Sequence, residues 1–429
     1  MKLSPDNPLR RPGYRFFMLF EVATSMGGGF HFVASHWILY QDQESPASTA
    51  WLVLCYMVPL LLVNPICGVF TDRYNRRKLL MLSTGYQFFL DLVLIGIMIS
   101  GHFKATHLYV YAPLMSVGNA LFWTTLPAFL REHLRKEELL HANSINTSLM
   151  QGGYLVGAGL AGILYPWLGP IGSFAVDAAG FGVGFLGWSY IHRWFKDRTR
   201  VHPSHHSPHF IREFGEGLVY VRNNAPLFLL ALFCLVPRFA ATAINVLLAG
   251  FCTDSLQEGP ESFGILDMAY GIGAMICGMA LPAFLSRSGL KSFYPSLAIL
   301  LAAVTMFYLA GAKNLPLSVL YLALFGFFAH VAGIITSTTL QKGCEEHIIG
   351  RITSLVSIAN FCLAPILVWS LGQYADKEEG RIVFSDPIRD GFVVVAIFYL
   401  VLAALSLLCV YPYLKKQALL EATSPSKEA

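Results

Sequence analysis

The run Gly68-Val69-Phe70-Thr71-Asp72-Arg73-Tyr74-Asn75-Arg76-Arg77-Lys78 lies between two long apolar stretches, Ala50 to Thr71 and Leu79 to Ser100. An apolar segment of about 20 residues spans the hydrocarbon core of a bilayer. With no water there, its backbone must bond to itself, so each such stretch is read as a helix. A short loop loaded with Arg between two crossings belongs on the cytoplasmic side. This arrangement excludes a soluble fold and fixes an orientation.

The rest of the chain agrees. Of 429 residues, 55% are hydrophobic and 13% charged, about half the charge fraction of soluble domains. Twelve spans are predicted, near residues 16–40, 50–71, 79–100, 107–130, 141–165, 170–192, 226–252, 263–285, 293–311, 315–340, 352–374 and 390–414. The first is too long for the apolar part of a signal peptide and is read as a permanent span. The polar segments alternate in charge. One set carries 24 Lys and Arg and the other 5, with Arg238 left inside a span. The asymmetry predicts both termini in the cytoplasm. The cationic excess is therefore a topology signal, and nucleic-acid binding is not needed to explain it.

The one long connection, residues 193–225, divides the chain into a six-span half at 1–192 and another at 226–429. Within it, Phe210 to Arg222 reads as a short amphipathic helix. His202-Pro203-Ser204-His205-His206-Ser207-Pro208-His209 reads as a solvated linker, since its prolines break any fixed ligand spacing. After the eighth span, Pro282 to Lys291 echoes the first loop: Arg73 matches Arg287 and Arg77 matches Lys291, each 214 positions on. Such a degenerate copy is what two parallel six-helix halves produce. Seven of the eight cysteines fall within or at the ends of spans and none has Cys-x-x-Cys spacing, so no disulfide and no metal knuckle is expected.

The Gly-x-x-x-Asp-Arg-x-x-Arg-Arg loop resembles that between the second and third helices of the major facilitator superfamily. Three further stretches carry the resemblance: His141 to Asn146 running into Gly153 to Gly162, Glu216 to Arg222, and Gly350 to Leu355. They are most similar to the branch of macrolide efflux proteins and the enterobactin exporter. The resemblance implies an all-α membrane protein of twelve helices in two pseudo-symmetric halves, without enzymatic activity or cofactor. The implied function is secondary active transport by alternating access: export of a drug or siderophore-like compound, amphiphilic or anionic, driven by the proton gradient through an antiporter of the bacterial inner membrane. An organic-anion importer and a lysophospholipid flippase are the alternatives. The expected partners are the substrate, the bilayer and protons, with the chain a monomer and no metal assigned. Asn75 stands where the family has Gly, which positive φ at Asn would accommodate. Ala158 replaces the Pro of the antiporter pattern, and the fourth span lacks the intramembrane Arg of many proton-coupled members.

The resemblance also assigns residues. Gly68, Asp72, Arg73, Arg76, Arg77 and Arg131 form the cytoplasmic gate, with Gly68 allowing close helix approach. Gly153, Gly157 and Gly162 form a small-residue packing face, and Gly271, Gly273 and Gly278 are its counterpart. Ionisable residues inside spans are costly and default to function. Helices one, four, seven and ten line the family's cavity, which promotes Glu21, His31, Asn119, Trp123, Arg238 and His330 as substrate or proton candidates. Asp91 and Asp177 fall on scaffold helices and are read as local partners. Counting from residue 226, Arg238 lies about 18 Å along its helix, near the midplane. There it needs an anion, from Glu21, Asp91 or the substrate.

The topology yields a direct test. In a thiol-free background, Ser45→Cys and Gly259→Cys should react with impermeant reagents from outside intact cells, and Ser204→Cys should not. Labelling at position 204 in sealed cells rejects the orientation.

Overall fold

The computed structural model describes residues 8–195, 230, 233–288, 293–343, 346–376, 383–384 and 386–412. The amphipathic stretch Phe210–Arg222, the His202–His209 tract and the end of the second loop copy lie outside these residues. So do the side chains of Gly350 to Leu355. The described residues are helical, with no strand among them.

Eleven α-helices follow in order: α1 Pro12–Gln43, α2 Pro46–Arg73, α3 Arg76–Ile99, α4 Leu108–His133, α5 Lys136–Tyr190, α6 Val236–Gly250, α7 Pro260–Ser288, α8 Tyr294–Ala310, α9 Leu315–Gly343, α10 Glu346–Ala375 and α11 Pro387–Leu405. The 55-residue α5 joins two spans through Gly169, whose φ of 63° and ψ of −171° belong to a region only glycine enters readily. With its two limbs counted separately the described residues hold twelve helices, consistent with the predicted number. Several begin at prolines, where the missing N–H costs nothing. Eight are long and apolar enough to cross a membrane. Their outward residues include Leu62, Leu82, Phe89, Ile99 and Leu186, each at least 60% exposed, an exterior suited to lipid rather than water.

The loop after α2 holds a correction. Asn75 has φ −64° and caps α3, its Oδ1 accepting from Lys78 N at 3.0 Å. Asn replaces Gly here as an N-cap, and positive φ is not used.

Two compact units are present, Met1–His205 with Glu258–Met268, and His206–Gln257 with Ala269–Ala429. In the first, α1 lies along α5 because glycines remove the side chains between them. A Cβ on Gly157 would strike the Met26 backbone, and one on Gly29 the backbone of Tyr154 and Ala158. Farther along, a Cβ on Gly162 would sit 2.7 Å from Pro260 O and 2.9 Å from Gly264 Cα. Toward Pro12, an aromatic core closes around Trp188. Phe17 and Phe129 pack on it at 5.5 and 5.1 Å between ring centroids, and Tyr14 Oη donates to Ala142 O at 2.8 Å.

In the second unit, Arg389 ties the ends of three helices. Its guanidinium donates to Ala310 O at 2.7 Å, Ala312 O at 2.6 Å and Ser255 O at 2.9 Å, satisfying carbonyls that helix ends leave open. Gly273 packs on the Ala323 and Phe327 backbones, whereas a Cβ on Gly278 would meet nothing within 4 Å.

Gly157→Ala should destabilise the protein by about 1–3 kcal/mol, the usual cost of overpacking. Gly152→Ala has no neighbour within 4 Å and should be neutral or stabilising by up to about 1 kcal/mol. Thermal unfolding in detergent compares them, and equal melting temperatures would refute the close contact.

Candidate functional site

The first unit encloses a cavity of about 410 Å³. Its walls come from α1 to α5. One turn of α1 after another contributes Glu21, Ser25, Gly28 and His31; α4 adds Met115, Asn119, Phe122 and Trp123; and α5 adds Met150, Gln151 and Tyr154. Four sequence candidates, Glu21, His31, Asn119 and Trp123, thus share one cavity. Glycine at 28, between Ser25 and His31, leaves the α1 wall open, since a Cβ there would meet nothing within 4 Å. Across the cavity, Gln87 Nε2 donates to Asn119 Oδ1 at 3.2 Å, which orients both amides.

Glu21 is 1% exposed. Neither carboxylate oxygen makes a hydrogen bond of acceptable geometry among the described residues, although the Trp188 indole lies close enough to interact with it. A buried carboxyl with so little polar support is costly in its charged form.

Around His31 the structure joins residues that the resemblance keeps apart. His31 Nδ1 meets Asp177 Oδ2 at 2.8 Å. His31 Nε2 bonds to Tyr56 Oη. Tyr111 Oη donates to Asp91 Oδ1 and lies 3.4 Å from His31 Nδ1. The His31 and Tyr111 rings stack, 5.4 Å apart at 25°. Phe174 meets His31 edge-on at 5.4 Å. One ligand atom each from His31, Asp91 and Asp177 all lie within 4.8 Å of one another. Asp177 itself lines the cavity, so a residue assigned to scaffold reaches the candidate site. A signal for this was present in the sequence. The first six spans contain Glu21, Asp91 and Asp177 but neither Lys nor Arg, so their carboxylates must find partners among histidines, hydroxyls or one another.

Two candidates lie in the second unit and line none of this cavity. Arg238 is exposed. The turn at residues 234–235 precedes α6, so Arg238 stands in the first turn of a helix beginning at Val236. His330 is half-buried, with Nδ1 bonded to Gly326 O at 2.8 Å and its ring 5.8 Å from that of Tyr270.

Of the gate residues, Arg76 pairs with Glu132 at 2.7 Å, linking α3 to α4. Arg77 donates to Trp188 O at 3.2 Å, and Arg73 and Arg131 are exposed. Asp72 is half-buried at the end of α2. A Cβ on Gly68 would meet nothing within 4 Å among the described residues, so this conformation makes no close approach there.

The matched family accounts for this arrangement. Residues 17–368 match the model of the Major Facilitator Superfamily. The chain belongs to that superfamily. It is therefore a multi-pass membrane protein of a transporter family. It is 25% identical over 376 residues to the multidrug efflux pump Tap of Mycolicibacterium fortuitum, covering 85% of this chain and 90% of the relative. It is 22% identical over 332 residues to macrolide efflux protein A of Streptococcus pyogenes, covering 75% and 78%. Among solved structures, the nucleoside transporter NupG superposes with a TM-score of 0.67 at 12% identity, over 93% of this chain and 99% of that one. A bacterial homologue of the human lysosomal transporter Spinster superposes with 0.69 at 13%, over 96% and 99%. These likenesses establish the fold.

Beyond the cavity, Glu138 at the start of α5 binds Arg11 from the entry to α1, with Nε–Oε1 at 3.1 Å and Nη2–Oε2 at 2.7 Å. Burial by itself would raise the carboxyl. Hydrogen bonds from the Arg135 backbone and side chain, with the charges of Arg11 and Arg135, outweigh it and hold the carboxyl below its ordinary value. A group depressed on folding stabilises above its unfolded pKa, about 4.3 for Glu, and that contribution fades as pH falls through the lower folded value. Glu138→Gln should therefore melt below wild type at pH 7, and the gap should narrow as pH drops below about 4. A gap independent of pH would show that packing, not charge, holds this junction.

Proposed function

We propose that this protein is a proton-coupled exporter of neutral or cationic amphiphilic compounds of drug-like size, working by alternating access in a bacterial cytoplasmic membrane with both termini inside. The observation that carries the proposal is the cavity: about 410 Å³, walled by Phe122, Trp123, Met115 and Met150, with Glu21 buried in it. Apolar and aromatic walls with a few placed polar groups bind drug-sized molecules, and methionine adapts to varied shapes. Similarity to a multidrug pump and a macrolide efflux protein supports the same class of substrate.

The charge inside the cavity sets the preference among substrates. Glu21 repels a carboxylate when ionised and offers it one O–H donor when neutral, with no positive charge in either state. Arg238, the anchor that the anionic-substrate reading depends on, lines another part of the chain and is exposed. Siderophore-like and other anionic cargo therefore has no Lys or Arg partner in this cavity, and the imidazole that lines it, His31, is already engaged with Asp177. Glu21 can instead hold a proton when the cavity is empty and release it when a cationic group or an outward-facing state changes its surroundings. This is the exchange that an antiporter requires.

The test uses proteoliposomes with an imposed pH gradient and a fluorescent cationic amphiphile. Trp123→Ala should weaken substrate binding about tenfold, the loss of roughly 1.4 kcal/mol of aromatic contact. Glu21→Gln should keep binding within a few-fold and abolish the response of transport to the gradient. A full gradient response in Glu21→Gln removes Glu21 as the carrier, and unchanged binding in Trp123→Ala removes the cavity as the substrate site.

A further inference from the structure

We propose that His31, Asp91 and Asp177 form a binding site for one divalent first-row transition-metal ion, with Tyr56 and Tyr111 as its supporting shell. The site goes beyond the export reading and does not depend on it.

Charge is the first argument. Asp91 and Asp177 are 0% exposed and His31 9%. Two carboxylates this close and this buried cannot both stay ionised without compensation. The spans around them supply no Lys or Arg. A divalent cation neutralises the pair completely.

The unused oxygens decide between a cation and a shared proton. Each carboxylate spends one oxygen, Asp91 Oδ1 on Tyr111 and Asp177 Oδ2 on His31. The other two, Asp91 Oδ2 and Asp177 Oδ1, are buried with no hydrogen-bond partner among the described residues. A proton on either oxygen would be a buried donor lacking an acceptor, and a proton held at the His31–Asp177 or Tyr111–Asp91 contact leaves both oxygens unmet. A metal ion takes lone pairs and asks for no acceptor.

Geometry and donor chemistry agree. The three ligand atoms lie within 4.8 Å of one another. Oxygen and nitrogen ligands sit about 2.0–2.2 Å from a metal, so two on one ion stand up to about 4.4 Å apart. The 4.8 Å bound exceeds that reach by about 0.4 Å, so small side-chain adjustments bring the three atoms onto one ion. Two carboxylates and one imidazole, with no sulfur, suit Mn²⁺, Fe²⁺, Co²⁺ or Zn²⁺ better than a soft ion or an all-oxygen ion such as Mg²⁺.

The surrounding hydroxyls do what ligand supports do. Tyr56 Oη bonds His31 Nε2. An ion would displace the proton now shared between Nδ1 and Asp177 Oδ2; with the ring proton on Nε2 toward Tyr56, Nδ1 would present its lone pair to the ion. Tyr111 fixes the Asp91 carboxylate. His31, Tyr56 and Asp177 also line the cavity, which gives an ion a route in and leaves coordination positions for water.

The experiment uses untagged full-length protein in detergent, stripped with chelator, with His202, His205, His206 and His209 changed to Ala so that the linker tract cannot compete. Co²⁺ is titrated by its d–d absorption and Mn²⁺ by its EPR signal. The expected result is one ion per chain with an imidazole nitrogen in its coordination sphere, and a melting temperature that rises with free metal. Asp91→Asn, Asp177→Asn and His31→Gln should each weaken binding at least tenfold, and Tyr111→Phe about tenfold, as outer-shell losses do. Melting in metal-free buffer identifies which variants are folded. If the ligand variants do not fold, Tyr111→Phe and the wild-type spectra still decide. No stoichiometric ion at saturating Co²⁺ or Mn²⁺, an ion without imidazole coordination, or full affinity in the Asp91→Asn/Asp177→Asn double variant would each overturn the site. Proton uptake by a metal-free cluster that binds no ion would assign it to protons instead.

Discussion

The contact on which the first unit depends is the near-touching of α1 and α5 where glycine has no side chain. Gly29 admits the Tyr154 and Ala158 backbones, and Gly157 admits that of Met26. In a bilayer this packing replaces the hydrophobic effect as the force between helices, because lipid is as apolar as leucine. A further glycine of α1 admits the second limb of α5: a Cβ on Gly27 would sit 3.0 Å from Asp177 Cα, and, one turn on, His31 meets the Asp177 carboxylate. The approach of α1 to α5 also sets Ser25 and Gly28 facing Gln151 and Tyr154 across the cavity. Packing, cavity and polar cluster are thus consequences of one set of missing Cβ atoms.

Polar groups are placed on different principles in the two units. In the first, carboxylates sit inside the membrane-spanning helices and find imidazole and phenol partners. In the second, among the described residues, Asp386, Arg389 and Asp390 at the start of α11 bind backbone groups at helix ends and in the preceding loop. Intramembrane charge is expensive and kept where it acts, while charge at a helix end is inexpensive and serves assembly. This contrast makes the first unit the stronger location for chemistry.

The Arg-rich loop after α2 combines both uses. Arg76 and Arg77 are engaged, with Glu132 and with the Trp188 carbonyl, so they brace α2–α3 against α4 and α5. Arg73 and Arg131 remain exposed, available to water and lipid phosphate. Asn75 caps α3, which explains how a non-glycine residue holds the tight turn.

Span number, helical class and superfamily were legible in the chain, because a bilayer allows an apolar run of that length only one self-satisfied backbone. The glycines at 153, 157 and 162 were legible as a packing face for the same kind of reason: small residues at helical spacing have little other use there. Which helix they receive was not legible, since one helix face is compatible with several neighbours. The break before Val236 was equally hidden, because backbone geometry at one or two residues decides whether a helix continues, and it set Arg238 in a first helical turn. The sequence placed Glu21 and His31 in a cavity by likeness to a family, but it separated Asp91 and Asp177 from them. Only the tertiary structure set those carboxylates beside His31, because the distance between side chains on different helices depends on how closely and at what rotation the helices pack, and neither is written in the spacing along one chain.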